Sequence, residues 1–255
     1  MEALAARSCA CVGEVPLPQP LSGGGGRKII MTMQQEARLC SAAEALGLAL
    51  DPAQLGQLLG YLDLIGKWNK VYNLTAVRDT DEMLVQHLFD SLAVVGPLRA
   101  QTQGKPIRLL DVGSGAGLPG VVIAVCCAEI QVECVDTVGK KAAFIQQAAA
   151  QLQLPNLRGV HDRVEHVAGQ YDVISSRAFA SLPDFVAWSS HALAEQGVWM
   201  AMKGKHPDAE IADLPPTAEV FHVEQLQVPE LAAERCIVWM RKRAREQSTT
   251  GTPRA

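Results

Sequence analysis

The chain has 255 residues, a mass of 27.4 kDa and a formal net charge of −4 at pH 7. This length suits one large α/β domain with a small appendage, and no apolar run is long enough to predict a membrane span. The acidic balance gives no sign of nucleic-acid binding, yet it does not exclude it, because a local basic face is enough. The seven cysteines form no Cys-x-x-Cys pair and the six histidines show no metal-ligand spacing, so we expect a reducing compartment and no metal site.

Composition divides the chain into four parts. Residues 1–33 are proline-rich and then glycine-rich, which predicts a disordered N-terminal extension. Residues 34–98 carry apolar residues at helical spacing, and residues 99–243 alternate strands with helices. Because no linker separates these two parts, we expect a helical cap packed on one α/β domain. Residues 244–255 form a predicted flexible tail.

Three helices are predicted in the cap. The first follows Gln34 and ends at Gly47. The second begins at Asp51-Pro52, where aspartate serves as the N-cap and proline suits the first helical position. Thr80 can cap the third helix, which we expect to stop at Gly96-Pro97.

The rest of the chain predicts an α/β fold with a doubly wound, mostly parallel, seven-stranded Rossmann-like sheet. The predicted strands are residues 107–112, 130–135, 157–161, 171–175, 197–202, 220–228 and 236–241. Predicted helices occupy residues 121–127, 139–152 and 181–193, and we expect the last two strands to pair antiparallel at one edge. In such a sheet, ligands bind outside the carboxyl ends of the strands.

The most informative stretch is a glycine turn after the first predicted strand. Gly113, Gly115, Gly117 and Gly120 all follow Asp111 closely. Glycine permits positive φ and a close approach by a ligand, so the strand, the turn and the next helix N-terminus form a cradle for a nucleotide-like ligand.

Two ligand classes fit this cradle. Residues 115–120 match the G-x-G-x-x-G dinucleotide fingerprint, and Asp136 lies about twenty residues further on, where a ribose-binding acid is expected. Residues 113–117, preceded by Asp111, instead resemble motif I of S-adenosylmethionine-dependent methyltransferases. Register favours the second class, because two residues separate the strand from the first glycine of the dinucleotide fingerprint.

Motifs along most of the chain resemble one family. They are Lys67-Trp-Asn-Lys-Val-Tyr-Asn-Leu-Thr-Ala-Val-Arg78, His87-x-x-Asp90-Ser91, the glycine turn with its Leu-Pro-Gly, Ser176-Arg-Ala-Phe179 and Lys203-Gly204. In this order they resemble the bacterial small-subunit (16S) ribosomal RNA guanine-N7 methyltransferases, also known as glucose-inhibited division protein B, over roughly residues 34–241.

This resemblance implies a class I methyltransferase fold in which residues 99–243 bind S-adenosylmethionine. It also implies the reaction, which is transfer of a methyl group from this cofactor to N7 of a guanine in 16S ribosomal RNA or the small ribosomal subunit. We expect a cytoplasmic, monomeric enzyme without a membrane or metal partner.

Cofactor contacts are carried over by position. Gly113 and Leu118, with the turn glycines Gly115 and Gly117, should line the methionine side of the cofactor. Asp136 should accept hydrogen bonds from the ribose hydroxyls, its alternative being an N-cap for the following helix. The adenine should lie between Val164 and Glu165, and Arg177 should stand near both the cofactor and the target base as the catalytic, orienting residue, unless it forms only a surface ion pair.

The candidates for RNA contact are Lys67, Lys70, Arg78, Lys203 and Lys205. The first three surround Trp68 and Tyr72, which would mix charge with aromatic surface as RNA-binding grooves do. The alternative is that Trp68 belongs to the core and the lysines are solvated. His87 and Asp90 share one helix face and are expected to fix the cap onto the sheet.

No general base is expected, because guanine N7 carries a lone pair and no proton. Three other functions stay open at this point. They are a nicotinamide-dependent oxidoreductase, a methyltransferase for a small molecule or a protein, and a non-catalytic module that binds the ribosome.

Overall fold

A computed structural model describes residues 25–243, with side chains from residue 33. The flexible tail predicted for residues 244–255 and most of the predicted N-terminal extension lie outside the described residues. Helix α1 (Gly25–Ala45) begins earlier than the predicted start at Gln34, because the run from residue 27 to residue 33 contains neither proline nor glycine.

The cap contains the predicted helices with two differences. Helix α2 (Pro52–Tyr72) starts with a capping box between Asp51 and Gln54. The N-cap of α3 (Thr80–Met83) is Asp79 rather than Thr80, because the Asp79 carboxylate accepts from two backbone N–H groups. The chain continues through a π-helical segment (Leu84–Phe89) and α4 (Asp90–Leu92). The prediction that the last cap helix stops at Gly96-Pro97 is wrong, because both residues lie in the first turn of α5 (Val95–Thr102). Proline is tolerated there, since the first N–H groups of a helix have no partner within the helix.

Seven strands form one sheet in the order β3-β2-β1-β4-β5-β7-β6. Strands β1 to β5 pair parallel, whereas β7 pairs antiparallel with both β5 and β6. Their bounds are β1 (Ile107–Val112), β2 (Ile130–Asp136), β3 (Leu157–His161), β4 (Tyr171–Arg177), β5 (Leu193–Lys203), β6 (Ala218–Leu226) and β7 (Arg235–Lys242). The predicted fold class and the antiparallel edge pair are confirmed.

The connections place helices on both faces of the sheet. They are α6 (Gly120–Cys126), α7 (Gly139–Gln151), a 3-10 turn (Val164–His166), α8 (Leu182–Ser189) and α9 (Asp208–Ala212). Helix α8 ends before the predicted residue 193, because Leu193 is fully buried and already pairs with Tyr171 as the start of β5.

Two apolar layers enclose the sheet. One joins the cap to α6, α7 and one sheet face, and it includes Tyr61, Trp68 and Phe144. The other lies under α8 on the opposite face and includes Phe185 and Trp199. The cap therefore shares a continuous core with the sheet, which fixes it beside the carboxyl ends of the strands.

Within residues 25–243, none of the helices has the length and apolar character needed to cross a membrane. Nor does this part of the chain bring together three or more His, Cys, Asp or Glu side chains in a way that would hold a metal ion.

Candidate functional site

The glycine turn begins where β1 ends, and three of its residues have left-handed backbone. Gly113, Gly115 and Gly117 have φ of 63°, 60° and 89°. Only glycine adopts these angles without strain. The turn is tied to its surroundings at both ends, since Gly113 N–H donates to Val135 O at 2.9 Å and the Tyr61 hydroxyl of α2 donates to Ala116 O.

Asp111, in strand β1, anchors the end of the glycine turn. Its side chain is fully buried, and it accepts hydrogen bonds from Gly120 N–H at 3.0 Å and from the Ser175 hydroxyl at 2.8 Å. Burial raises the pKa of this carboxyl from 3.8 to about 6, against the lowering effect of the two donors. Asp111 thus links β1, β4 and the start of α6 and is inaccessible to a ligand.

Asp136 ends β2 and supports the same turn. Its carboxylate accepts from Gly115 N–H at 3.0 Å and from Val138 N–H at 2.8 Å, and Lys141 Nζ lies 3.7 Å away. The N-cap of α7 is Val138, so Asp136 is not the helix cap that the sequence left as its alternative. Since each carboxylate oxygen can accept more than one hydrogen bond, Asp136 keeps capacity for a ligand hydroxyl.

A cavity of about 360 Å³ opens beside Asp136, and we call it the strand cavity. Its lining includes Asp136, Val164, Glu165, Phe179 and Trp188. Val164 is buried, whereas Glu165 is partly exposed and accepts from Arg163 at 2.8 Å. The hydrogen bond from Arg163 lowers the pKa of the Glu165 carboxyl, which therefore stays ionised. The cavity thus combines carboxylates with apolar surface.

A second cavity, of about 510 Å³, lies between the cap and the strand ends, and we call it the cap cavity. Its polar lining comes from separate segments of the chain: Thr75, His87, Asp90, Arg177, Lys203 and Arg235. Gly113 and Ala178 line both cavities. The two cavities therefore meet at the glycine turn and the end of β4.

One buried carboxylate organises the cap cavity. Asp90 is 3% exposed, and it accepts from Arg177 Nη1 at 2.9 Å and from Arg235 Nε at 2.8 Å. Arg177 also donates to Gln86 O, so it is more than a surface ion pair. Two guanidinium groups on one carboxylate leave a positive charge in the cavity, and Asp90 fixes the cap onto β4 and β7 as expected.

Arg235 was missed by sequence reasoning. Its position carried a signal, because β7 runs antiparallel and therefore starts at the edge where the parallel strands end. The first residue of an antiparallel strand thus faces the same site as Arg177, the last residue of β4.

His87 faces the cap cavity from the π-helical segment. Its Nε2 lies 3.0 Å from the Thr75 hydroxyl, and its buried Nδ1 has no hydrogen-bond partner among the described residues. Burial, reinforced by the charge of Arg177, lowers the pKa of His87 from 6.5 to about 4. His87 is therefore neutral at physiological pH. Because Nε2 faces Thr75 and Nδ1 is unpaired within the described part of the chain, the ring makes no hydrogen bond to Asp90.

Of the five basic residues singled out in the sequence, one lines the cap cavity. Lys203 lines the cavity and donates to Glu210 at 2.7 Å, and Lys205 is exposed nearby. Lys67, Lys70 and Arg78 are exposed where α2 ends and the loop to α3 begins, and none of the three lines either cavity.

Trp68 settles one open alternative. It is 2% exposed and packs against Tyr72 and Phe144, with ring centroids 4.8 Å and 5.4 Å away. Trp68 therefore belongs to the core, and the surface near α2 offers charge without this indole.

The chain matches two sequence relatives over nearly their whole length. The ribosomal RNA small subunit methyltransferase G of Paracidovorax citrulli is 64% identical over 218 residues, covering 81% of this chain and 90% of the relative. The protein of the same name from a Polaromonas species is 66% identical over 212 residues, covering 81% and 93%.

Among solved structures, the chain resembles magnesium protoporphyrin IX methyltransferase from Synechocystis PCC 6803 with bound SAM. The TM-score is 0.51 at 16% identity, covering 76% of this chain and 99% of that one, so the likeness concerns the fold alone. The model of the family described as GidB, rRNA small subunit methyltransferase G, matches residues 54–238. With this match and relatives above 60% identity, the chain belongs to the GidB family of rRNA small subunit methyltransferases.

Proposed function

We propose that this protein transfers a methyl group from S-adenosylmethionine to N7 of a guanine in small-subunit (16S) ribosomal RNA. The observation that carries the proposal is the junction of the two cavities at Gly113 and Ala178. A ligand that fills the strand cavity can extend across this junction into the cap cavity. The family to which the chain belongs supplies the class of reaction.

The strand cavity fits the adenosyl half of this cofactor. Asp136 can accept hydrogen bonds from ribose hydroxyls while it holds Gly115, and Val164 with Glu165 offers one apolar and one polar flank for the adenine. Gly113, Gly115 and Leu118 line the cap cavity, where the methionine portion would lie, whereas Gly117 is buried and lines neither cavity. The positive charge left by Arg177 and Arg235 suits a carboxylate or a phosphate there.

The cofactor supplies an electrophilic methyl group on a sulfonium. The chain's own contribution is to hold guanine N7 in line with that group and to exclude water. Because N7 carries a lone pair and no proton, no residue has to remove a proton. Arg177 is the catalytic, orienting residue, since its guanidinium is held by Asp90 at the cavity and can donate to guanine O6.

RNA contact is assigned to the charged rim of the cap cavity. Lys203 lines the cavity and Lys205 is exposed close to it in the chain, while Lys67, Lys70 and Arg78 are exposed at the end of α2 and in the loop that contains the cavity residue Thr75, so these cations are available to RNA phosphates. These few cations in an acidic protein favour recognition of a structured RNA or an assembled particle over tight binding to any RNA.

The proposal also covers the location, the assembly state and the domains of the enzyme. The enzyme acts in the cytoplasm, where ribosomal RNA is made, and it acts as a monomer with residues 34–98 as cap and residues 99–243 as the cofactor-binding domain.

The test is a methyl-transfer assay with labelled S-adenosylmethionine and unmodified small-subunit RNA, offered free and as the particle. We expect label in the RNA together with N7-specific strand cleavage at one guanine. Arg177→Ala should abolish labelling, whereas Arg158→Ala, at an exposed arginine outside both cavities, should not change it. Absence of label with both RNA forms, although the cofactor binds, would refute the RNA assignment, and binding of NADH instead would refute the cofactor.

A further inference from the structure

The strand cavity has an aromatic wall that the proposed reaction has not yet used. Phe179 and Trp188 both line this cavity. Trp188 is 39% exposed. Among the residues with described side chains, four large apolar side chains are exposed, and the other three are Met33, Val71 and Phe221. An indole exposed at the mouth of a cavity is apolar surface available to a ligand.

The wall is held together by edge-to-face contacts. The ring of Phe179 lies 5.8 Å from that of Trp188 at 77°, and 6.5 Å from the buried ring of Phe185 at 79°. At its other end the Phe179 ring packs directly on the glycine turn, since a Cβ added to Gly113 would lie 2.1 Å from Phe179 Cδ2. The aromatic surface therefore runs without interruption from the turn to α8.

The backbone fixes this arrangement. Ala178 has a φ of 50°, which is a left-handed conformation that alanine rarely adopts. It separates Arg177, which lines the cap cavity, from Phe179, which lines the strand cavity. The residues on either side of Ala178 thus line different cavities. The strained backbone of Ala178 persists because the side chains of Arg177 and Phe179 are both held by their surroundings.

We propose that Phe179 and Trp188 form the wall against which the purine ring of the cofactor lies, and that Trp188 determines affinity for that ring. This inference rests on the proposed function, because it names the residues that hold one half of the proposed cofactor. The cavity's carboxylates, Asp136 and Glu165, suit ribose hydroxyls and base amino groups. The flat face of the purine ring then has the aromatic wall as its complementary surface.

Trp188 provides its own optical signal. The other three tryptophans, Trp68, Trp199 and Trp239, are at most 2% exposed, so ligand-dependent changes in tryptophan emission should come from Trp188. We expect S-adenosylhomocysteine to change the emission of the wild-type protein. In Trp188→Phe the change should disappear, while calorimetry still detects binding.

Affinity gives the second readout. Trp188→Ala should weaken S-adenosylhomocysteine about tenfold, within the range for the loss of base–aromatic stacking, and Trp188→Phe should restore it to within about threefold. With S-adenosylmethionine as substrate, Trp188→Ala should raise KM and leave kcat nearly unchanged at saturation. The matched control is Phe221→Ala, at an equally exposed ring on β6 outside both cavities, which should bind as the wild type does.

A merely structural role for Trp188 would lower the melting temperature without ligand and leave the affinity unchanged. That result, or an emission change that persists in Trp188→Phe, would overturn the inference while the proposed function stands. If calorimetry detects no S-adenosylhomocysteine binding to the wild type, the cofactor assignment itself fails and the inference fails with it.

Discussion

The two cavities of this protein are built in different ways. The strand cavity is formed where consecutive strands of the parallel sheet end, and backbone N–H groups hold its key carboxylate, Asp136. The cap cavity is assembled from distant segments and is held by side chains, above all by Asp90 between Arg177 and Arg235. The first therefore depends on backbone geometry, and the second on a few buried polar groups.

The largest expected effect comes from the backbone geometry where the cavities meet. Gly113 and Gly115 have nearly equal φ, 63° and 60°, but an added Cβ meets Phe179 only at Gly113 and meets nothing within 4 Å at Gly115. We expect Gly113→Ala to lower kcat/KM at least about 100-fold by displacing the ring and the turn. Gly115→Ala should lose about tenfold or less, since only the strain of about 1 to 2 kcal/mol remains. Equal losses in steady-state assays would show that strain rather than close packing matters.

The second-largest expected effect is a loss of stability when the carboxylate of the cap cavity is removed. Asp90→Ala leaves two arginines without their carboxylate, so the free energy of unfolding should fall by about 3 kcal/mol in urea titrations. The matched control is Asp63→Ala, which removes an ion pair with Lys67 whose side chains are about half exposed. That change should lower the free energy by less than about 0.5 kcal/mol. Similar values for the two variants would contradict the organising role of Asp90.

Each region also contains one buried titratable group, and the two have opposite pH effects. Burial raises the pKa of Asp111 from 3.8 to about 6, so its contribution to stability is present below pH 4 and is lost as pH rises to 6. Burial lowers the pKa of His87 from 6.5 to about 4, so its contribution is present above pH 6.5 and is lost as pH falls to 4. In the wild type the two slopes largely cancel.

Removing one group should reveal the other. Relative to the wild type, the free energy of unfolding of Asp111→Asn should rise by on the order of 2 to 3 kcal/mol between pH 4 and 6. His87→Gln should show the opposite trend, a fall of similar size relative to the wild type between pH 4 and 6.5. Denaturant titrations at several pH values measure both, and curves parallel to the wild type would refute the assigned pKa shifts.

The smallest effect concerns the contact between the cap and the glycine turn. Tyr61→Phe removes the hydrogen bond to Ala116 O and leaves the ring, which is fully buried, in place. Stability should fall by about 1 to 2 kcal/mol, and the affinity for S-adenosylhomocysteine should fall with it. Calorimetry and thermal melting test this prediction, and an unchanged affinity would show that the turn is held without the cap.

The difference between the cavities also explains what the sequence could predict. The glycine turn, the strand ends and the order of strands and helices follow from local patterns, so the predicted sheet is confirmed, and the chain position of Asp136 was enough to predict that it lies at a strand end beside the turn. Arg235 lies far along the chain from Asp90, and only the antiparallel pairing of β7 brings them together. The left-handed Ala178 has no local sequence signal, since alanine rarely takes that conformation.

Solving the structure with bound S-adenosylhomocysteine tests the central claim most directly, because that claim is that the two cavities are two halves of one site. We predict the ribose at Asp136, the purine against Trp188, and the homocysteine chain passing Gly113 toward Arg177 in the cap cavity. A ligand confined to one cavity, or one bound elsewhere with both cavities unchanged, would contradict the account.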